Sequence, residues 1–259
     1  MTPRSSSKVL AAEDPPPFTF HNPAGSSPFL LIGDHAGNTI GSPLKYLGLN
    51  EAERTRHIAW DIGIAGLGRA LAQLLDAAFI TQTYSRLVID CNRDPAAAEA
   101  VPEVSDGTAI PGNSALDAGA RAERAASVHA PYHAAIDAAL EARAVAGRQT
   151  IFIALHSFTP VFGGVSRPWH VGVLHDAGDT RFAKAVLAAL RSEGDLIVGD
   201  NEPYRMDGTD HTVPRHCGAR RLPYLEIEIR QDLIAAADQQ MRWAERLSRS
   251  FRTARSAVD

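Results

Sequence analysis

Cysteine is scarce in this chain: Cys91 and Cys217 are the two in 259 residues, far apart and outside any Cys-x-x-Cys pair. That excludes a disulfide framework and points to a reducing compartment, with both thiols inert. Long apolar runs are missing as well. No stretch approaches the roughly 18 residues of a membrane span. The N-terminus, with Ser5-Ser6-Ser7 and Pro15-Pro16-Pro17, has no apolar core of the length a secretory signal needs. A cytoplasmic protein without a membrane partner is expected. Nor is there a basic excess: 26 Lys and Arg stand against 30 Asp and Glu, a formal charge of −4. That argues against a nucleic-acid partner or an anionic membrane surface.

Some motifs are absent where fragments of them occur. Gly63, Gly66 and Gly68 make a glycine run, but no Gly-Lys-Ser/Thr follows and no strand leads directly into it, so it is not a phosphate loop. His129 and His133 have the i,i+4 spacing of a metal pair. The glutamate of His-Glu-x-x-His is missing and Pro131 falls between them, which favours a structural role. No internal repeat is visible.

What is present reads as alternating strands and helices. Apolar residues make up 45% of the chain, enough for a sizeable core. The alternation implies one α/β domain over residues 25–259, preceded by an extended or poorly ordered segment, 1–24. Continuous apolar runs predict buried strands at 28–32, 78–84 and 150–155. The β-branched alternation through Val88 and Ile89 predicts another over 87–90, within the stretch 85–93, delivering Asn92-Arg93 at its C-terminal end. Further strands are expected at 170–175 and 195–198. At 223–230, Leu225, Ile227 and Ile229 take one face and Glu226, Glu228 and Arg230 the other. Asn50 can cap a helix whose apolar positions continue through Asp76, with Asp61 on its small-residue face beside Ala65, Gly68 and Ala72. Helices are also expected from about 118 or 131 to 146, over 180–192, and from Leu233 through Met241 to Phe251. The polar stretch 94–117 reads as a long loop, with Asp106-Gly107-Thr108 through Pro111-Gly112-Asn113 flanking a site.

The polar endings of these elements carry the chemistry. Gly33-Asp34-His35 and Leu155-His156 each set a histidine at the end of a buried strand. Parallel neighbours would place both imidazoles at one sheet edge, where they could share a zinc ion. A catalytic zinc takes three N or O ligands, and Asp61 is the third by elimination. Glu228 can serve as the base that takes a proton from water. Arg86, Asn92 and Arg93 offer a guanidinium and amide set suited to a carboxylate ligand.

Several segments together resemble the N-formylglutamate amidohydrolase family. They are Gly33-Asp34-His35-Ala36-Gly37-Asn38, Ala59-Trp60-Asp61-Ile62-Gly63, Ser85-Arg86-Leu87-Val88-Ile89-Asp90-Cys91-Asn92-Arg93, Asp106-Gly107-Thr108 with Pro111-Gly112-Asn113, Leu155-His156-Ser157-Phe158, Asn201-Glu202-Pro203-Tyr204 and Glu228-Ile229-Arg230-Gln231-Asp232-Leu233. That family is similar in turn to zinc carboxypeptidases and aspartoacylases. The resemblance implies a three-layer α/β/α sandwich with a mixed, mostly parallel central sheet of zinc-exopeptidase type. It implies Zn2+ as cofactor and hydrolysis of N-formyl-L-glutamate to formate and L-glutamate, a step of histidine degradation. His35 and His156 would be metal ligands, Glu228 the base, and Arg86, Asn92 and Arg93, with Arg167 and Arg230, the holders of substrate carboxylates. A carboxypeptidase-type ligand pair would need an acid where this chain has Asn38. Asp61 fits the arrangement of zinc amidases that cleave cell-wall peptides, and Asn38 is the lesser alternative. A deacylase of different acyl or amino-acid specificity, or a metal-free carboxylate-binding protein on the same fold, are the competing expectations.

Overall fold

The computed structural model describes residues 8–259; the first seven of the expected N-terminal segment lie outside the described residues. Within the rest of that segment, Phe18–His21 (β1) is an edge strand of the central sheet. The other strands are Phe29–Gly33 (β2), Ala78–Gln82 (β3), Ile151–Phe158 (β4), Val171–Leu174 (β5), Val198–Asp200 (β6) and Tyr224–Arg230 (β7). The seven run in the order β1-β3-β2-β4-β7-β5-β6. From β3 through β7 all pairs are parallel. β1 runs antiparallel to β3 and β5 antiparallel to β7, so the sheet is mixed.

Residue parity divides the core between the two faces of the sheet. Leu31, Ile153, Leu155 and Ile227 meet one helical layer, built of Ile64–Leu75, Arg181–Ser192 and Ala237–Ala254. Leu30, Ile32, Phe152 and Ala154 meet the other, which includes Ala130–Val145 and the short Thr212–Cys217. The result is the three-layer sandwich, with both core clusters closed off from water. Among the described residues, no helix is long and apolar enough to cross a membrane.

Four stretches differ from the sequence reading. Residues 85–93 form turns and loop, not a strand. Their backbone is paired by side chains: the Ser85 hydroxyl donates to the Ala59 carbonyl, Asn113 donates to the Leu87 carbonyl, and the fully buried Arg124 donates to the Val88 carbonyl. The expected long helix is two pieces. Asn50 does cap a helix, with a reciprocal Glu53 contact, but that helix is Glu51–Arg54. The second piece starts at Ile64, after Gly63 at φ 89°. A Cβ on Gly63 would lie 2.2 Å from the Ile234 carbonyl oxygen, so the chain turns there and Asp61 sits in the turn instead of on a helix face. At the other end, Leu233 and Ile234 lie before the last helix, and Met241 is exposed. Finally, β6 falls three residues later than its apolar run suggested, because Gly199 and Asp200 pair with Gly172 and Val173.

Candidate active site

The site forms at the C-terminal edge of the parallel strands. His156 lies within β4, on the same face as Phe152 and Ala154. Its direct neighbour in the ladder is Glu228 of β7, and Glu226 faces the same way two residues earlier. β7 is central, between β4 and β5, so both glutamates are buried. His35 follows β2 across a tight turn. Its carbonyl accepts the Asp61 backbone N–H at 2.9 Å, which ties the turn before helix Ile64–Leu75 to the end of β2. The Ser157 N–H donates to Asp61 Oδ2 at 3.2 Å and its hydroxyl to the Ile62 carbonyl at 3.0 Å, which ties the same turn to β4.

These ties bring three donors together. His35 Nδ1 is 3.5 Å and His156 Nδ1 3.0 Å from Asp61 Oδ2. One donor atom of each residue lies within 4.8 Å of the other two, and all three side chains are buried. The far nitrogens each meet a second carboxylate: His35 Nε2 is 2.7 Å from Asp90 Oδ1, and His156 Nε2 is 3.4 Å from Asp34 Oδ2. Carboxylates behind metal-binding imidazoles fix the tautomer that leaves the other nitrogen free to bind. Asp34 is itself held by Tyr132 and Thr212, whose hydroxyls donate to Oδ1, each at 2.9 Å.

The electrostatics at the point of convergence are compatible with a bound cation. Burial works against protonating His156, but hydrogen bonds to Asp34 and Asp61 and the charge of Glu226 hold it well above its ordinary value. Burial and the Arg86 charge oppose protonation of His35 too, and Asp90 and Asp61 outweigh them. Burial opposes ionisation of Asp61, yet the His35 charge and the bond from His156 keep it well below the carboxylate range. A divalent ion can take the place of the protons these carboxylates hold on the rings. Glu226 and Glu228 behave in the opposite way: burial raises them to about 7 and about 8. The Oε2 of each has no hydrogen-bond partner among the described residues.

A cavity of about 630 Å³ opens over this cluster. Arg86 and Arg93 line it, together with Tyr204 and with Arg205 and His57, which the sequence reading did not single out. Arg86 spans Asp90 and Asp61, at 2.6 and 3.5 Å. Arg93 lies 3.5 Å from Asp210. Asn92 also borders the cavity, but its Oδ1 accepts the backbone N–H groups of His211 and Thr212 at 3.0 and 2.9 Å. It therefore braces the 210–212 turn. Arg167 stacks on Phe162 and Tyr204 and donates to the Tyr204 hydroxyl at 2.8 Å. Arg230 is bound to Asp232 and reaches the Pro168 carbonyl, away from the cavity lining. Asn38 donates to the Arg54 carbonyl and stands outside the donor cluster. Part of the 94–117 stretch, including Glu99, Pro102 and Asp106, forms one wall, and Asp106 pairs with Arg56 and His57.

Asp34 and Asp90 were missed as site residues. Each does follow a buried apolar run, at Ile32-Gly33 and Val88-Ile89, and a carboxylate at such a place needs a partner.

Residues 27–235 match the family model for N-formylglutamate amidohydrolase. The chain belongs to that family. It is therefore an enzyme that hydrolyses an amide bond. The chain is similar to the gene product Atu2144 from Agrobacterium tumefaciens, with 35% identity and a TM-score of 0.93 over 97% of this chain and 99% of that one. It shares its fold with the N-formylglutamate amidohydrolase from Ralstonia eutropha JMP134, at 22% identity and a TM-score of 0.63, over 93% of this chain and 98% of that one. No curated protein sequence matches the chain.

Proposed function

We propose that this amidohydrolase removes the formyl group of N-formyl-L-glutamate, with zinc held by His35, Asp61 and His156. The observation that carries the reading is the convergence of two imidazole Nδ1 atoms on one Asp61 oxygen, while separate carboxylates hold both far nitrogens. Two imidazoles and one carboxylate suit zinc and leave room for substrate and water. When bound there, the ion would supply Lewis-acid polarisation of the formyl carbonyl and acidify water.

The chain's own groups do the rest. Glu228, beside His156 in the ladder, takes a proton from the attacking water and returns it to the leaving nitrogen. Water adds to the formyl carbon, the C–N bond breaks, and formate and L-glutamate result. Arg86 already faces Asp61 across 3.5 Å and presents its charge to the oxyanion that develops next to that carboxylate. Arg93 and Arg205, on the cavity wall, hold the substrate carboxylates. Burial raises the Glu228 carboxyl from 4.5 to about 8, so it can hold the proton between the two steps.

Glu228→Gln is the deciding variant. It should retain stoichiometric zinc and lose turnover by at least about 100-fold, the usual scale of a general base. Loss of zinc instead would assign the residue to metal binding and overturn its role as base. A panel of formyl, acetyl and succinyl amino acids fixes the substrate. A kcat/KM highest for an acetyl or succinyl compound would refute the formyl assignment.

A further inference from the structure

Behind the site, four histidines pack against one another. His129 and His133 come from the junction where a π-helical turn, Ala125–His129, passes into helix Ala130–Val145. His211 is the residue before helix Thr212–Cys217, and His216 lies within that helix. The rings of His129, His133 and His211 have centroids 4.3 to 5.2 Å apart. One nitrogen of each lies within 4.8 Å of the other two. His129 and His133 are buried, whereas His211 is partly exposed and gives the cluster a route to solvent.

We infer that His129, His133 and His211 form a second metal site, separate from the His35–Asp61–His156 cluster, that takes a late first-row divalent cation such as zinc. The donor set is three imidazoles with no carboxylate, which selects zinc, nickel or copper over magnesium or calcium. His211 Nε2 is buried yet has no hydrogen-bond partner among the described residues, so one ligand nitrogen is already free. The other two rings rest on main-chain acceptors: His129 Nε2 lies 3.1 Å from the Arg93 carbonyl and His133 Nε2 2.9 Å from the Cys91 carbonyl. His133 Nδ1 lies 2.8 Å from His216 Nε2. Around a tetrahedral zinc with bonds of about 2.0–2.1 Å, ligand nitrogens stand about 3.4 Å apart, so from separations within 4.8 Å the rings need to close by up to about 1.4 Å. Burial also keeps these rings neutral at pH 7, the form that binds metal.

Two further features favour a built site. The π-turn ends at His129, where it passes into the helix that carries His133, and such turns gather at functional sites. The two elements that supply the ligands are also pinned to each other without an ion. Tyr132, next to His133, and Thr212, next to His211, both donate to Asp34 Oδ1. The same carboxylate backs His156, so closure on a second ion would be transmitted to the first cluster.

The test is metal stoichiometry. Protein stripped with a chelator is dialysed against buffered micromolar zinc and its metal content measured. Wild type should hold about two ions per chain, His211→Ala about one, and Asp61→Asn about one. His129→Asn, which keeps a donor for the Arg93 carbonyl, should also hold one, and it decides the matter if His211→Ala does not fold. A single ion in wild type and in His211→Ala alike, or two ions in both histidine variants, overturns the second site. An Asp61→Asn variant with an undiminished count would instead overturn the first cluster and leave this one standing.

Discussion

Arg124 is a buried cation with no carboxylate partner in the structure's described residues, and its removal tests how the loop carrying Asp90, Asn92 and Arg93 is held. The guanidinium donates to the Val88 carbonyl at 2.9 Å, to Asn113 Oδ1 at 2.7 Å and to the Gly112 carbonyl at 3.0 Å. Arg124→Met leaves two buried acceptors and one partly buried acceptor unpaired, at about 1–3 kcal/mol each, or about 6 kcal/mol in all. Against this stands the cost of burying the charge. Burial lowers Arg124 from 12.5 to about 10, which corresponds to roughly 3 kcal/mol regained when the charge is removed. The net loss is about 3 kcal/mol, or roughly 6–12 °C in the thermal midpoint of a chain this long. Arg124→Lys should not rescue it, because an ammonium on a flexible stem cannot span the three acceptors in one plane. Circular dichroism melts of the three proteins, run without added metal, make the measurement. A midpoint for Arg124→Met within 1 °C of wild type would show that this loop does not depend on the buried arginine.

Three other outcomes follow from the site and the core. Asp90→Asn removes the carboxylate behind His35 Nε2 and should weaken zinc binding about 10–100-fold while the fold stays intact, as read by chelator competition; unchanged affinity would separate Asp90 from the metal cluster. Burial favours the neutral form of Asp34, but the hydrogen bond and charge of His156 prevail and hold its carboxyl at about 2. A folded value below the unfolded 3.8 contributes stability above pH 4 that is lost as pH falls toward 2, so Asp34→Asn should cost most at pH 6 and almost nothing near pH 2 in urea titrations. A Cβ on Gly68 would sit 2.2 Å from carbons of the Phe79 ring, so Gly68→Ala should lose about 1–3 kcal/mol in the same titrations, and Phe79→Leu in the same chain should recover part of it.

Much of the sheet was legible because its strands are local signals. The apolar runs at 29–32 and 151–155 are buried strands, and each leads to the histidine that the structure brings to the common edge. Alternation correctly separated Leu225 and Ile227 from Glu226 and Glu228. It could not say whether β7 was central or at an edge, since that depends on pairing with β4 and β5, which lie more than fifty residues away. The 85–93 stretch misled because β-branched residues fit a strand, while its hydrogen bonds go to Arg124 and Asn113, far along the chain. Asp61 was placed on a helix because apolar spacing continued across Gly63, whose turn answers to Ile234 and not to any neighbour in sequence. Asp34 and Asp90 escaped notice for a similar reason: the imidazole behind which Asp90 stands is fifty-five residues away, and no local pattern encodes it.

The contact of Gly63 with Ile234 carries a consequence for how the protein comes into being. The turn that aims Asp61 is braced by a residue that leaves the ribosome long after the turn itself. A growing chain can lay down β2, β3 and β4, but the turn that carries Asp61 meets Ile234 only once the residues after the final strand have docked. The geometry around Asp61 is thus among the last features the molecule acquires, because a chain cut before Ile234 lacks the brace for that turn.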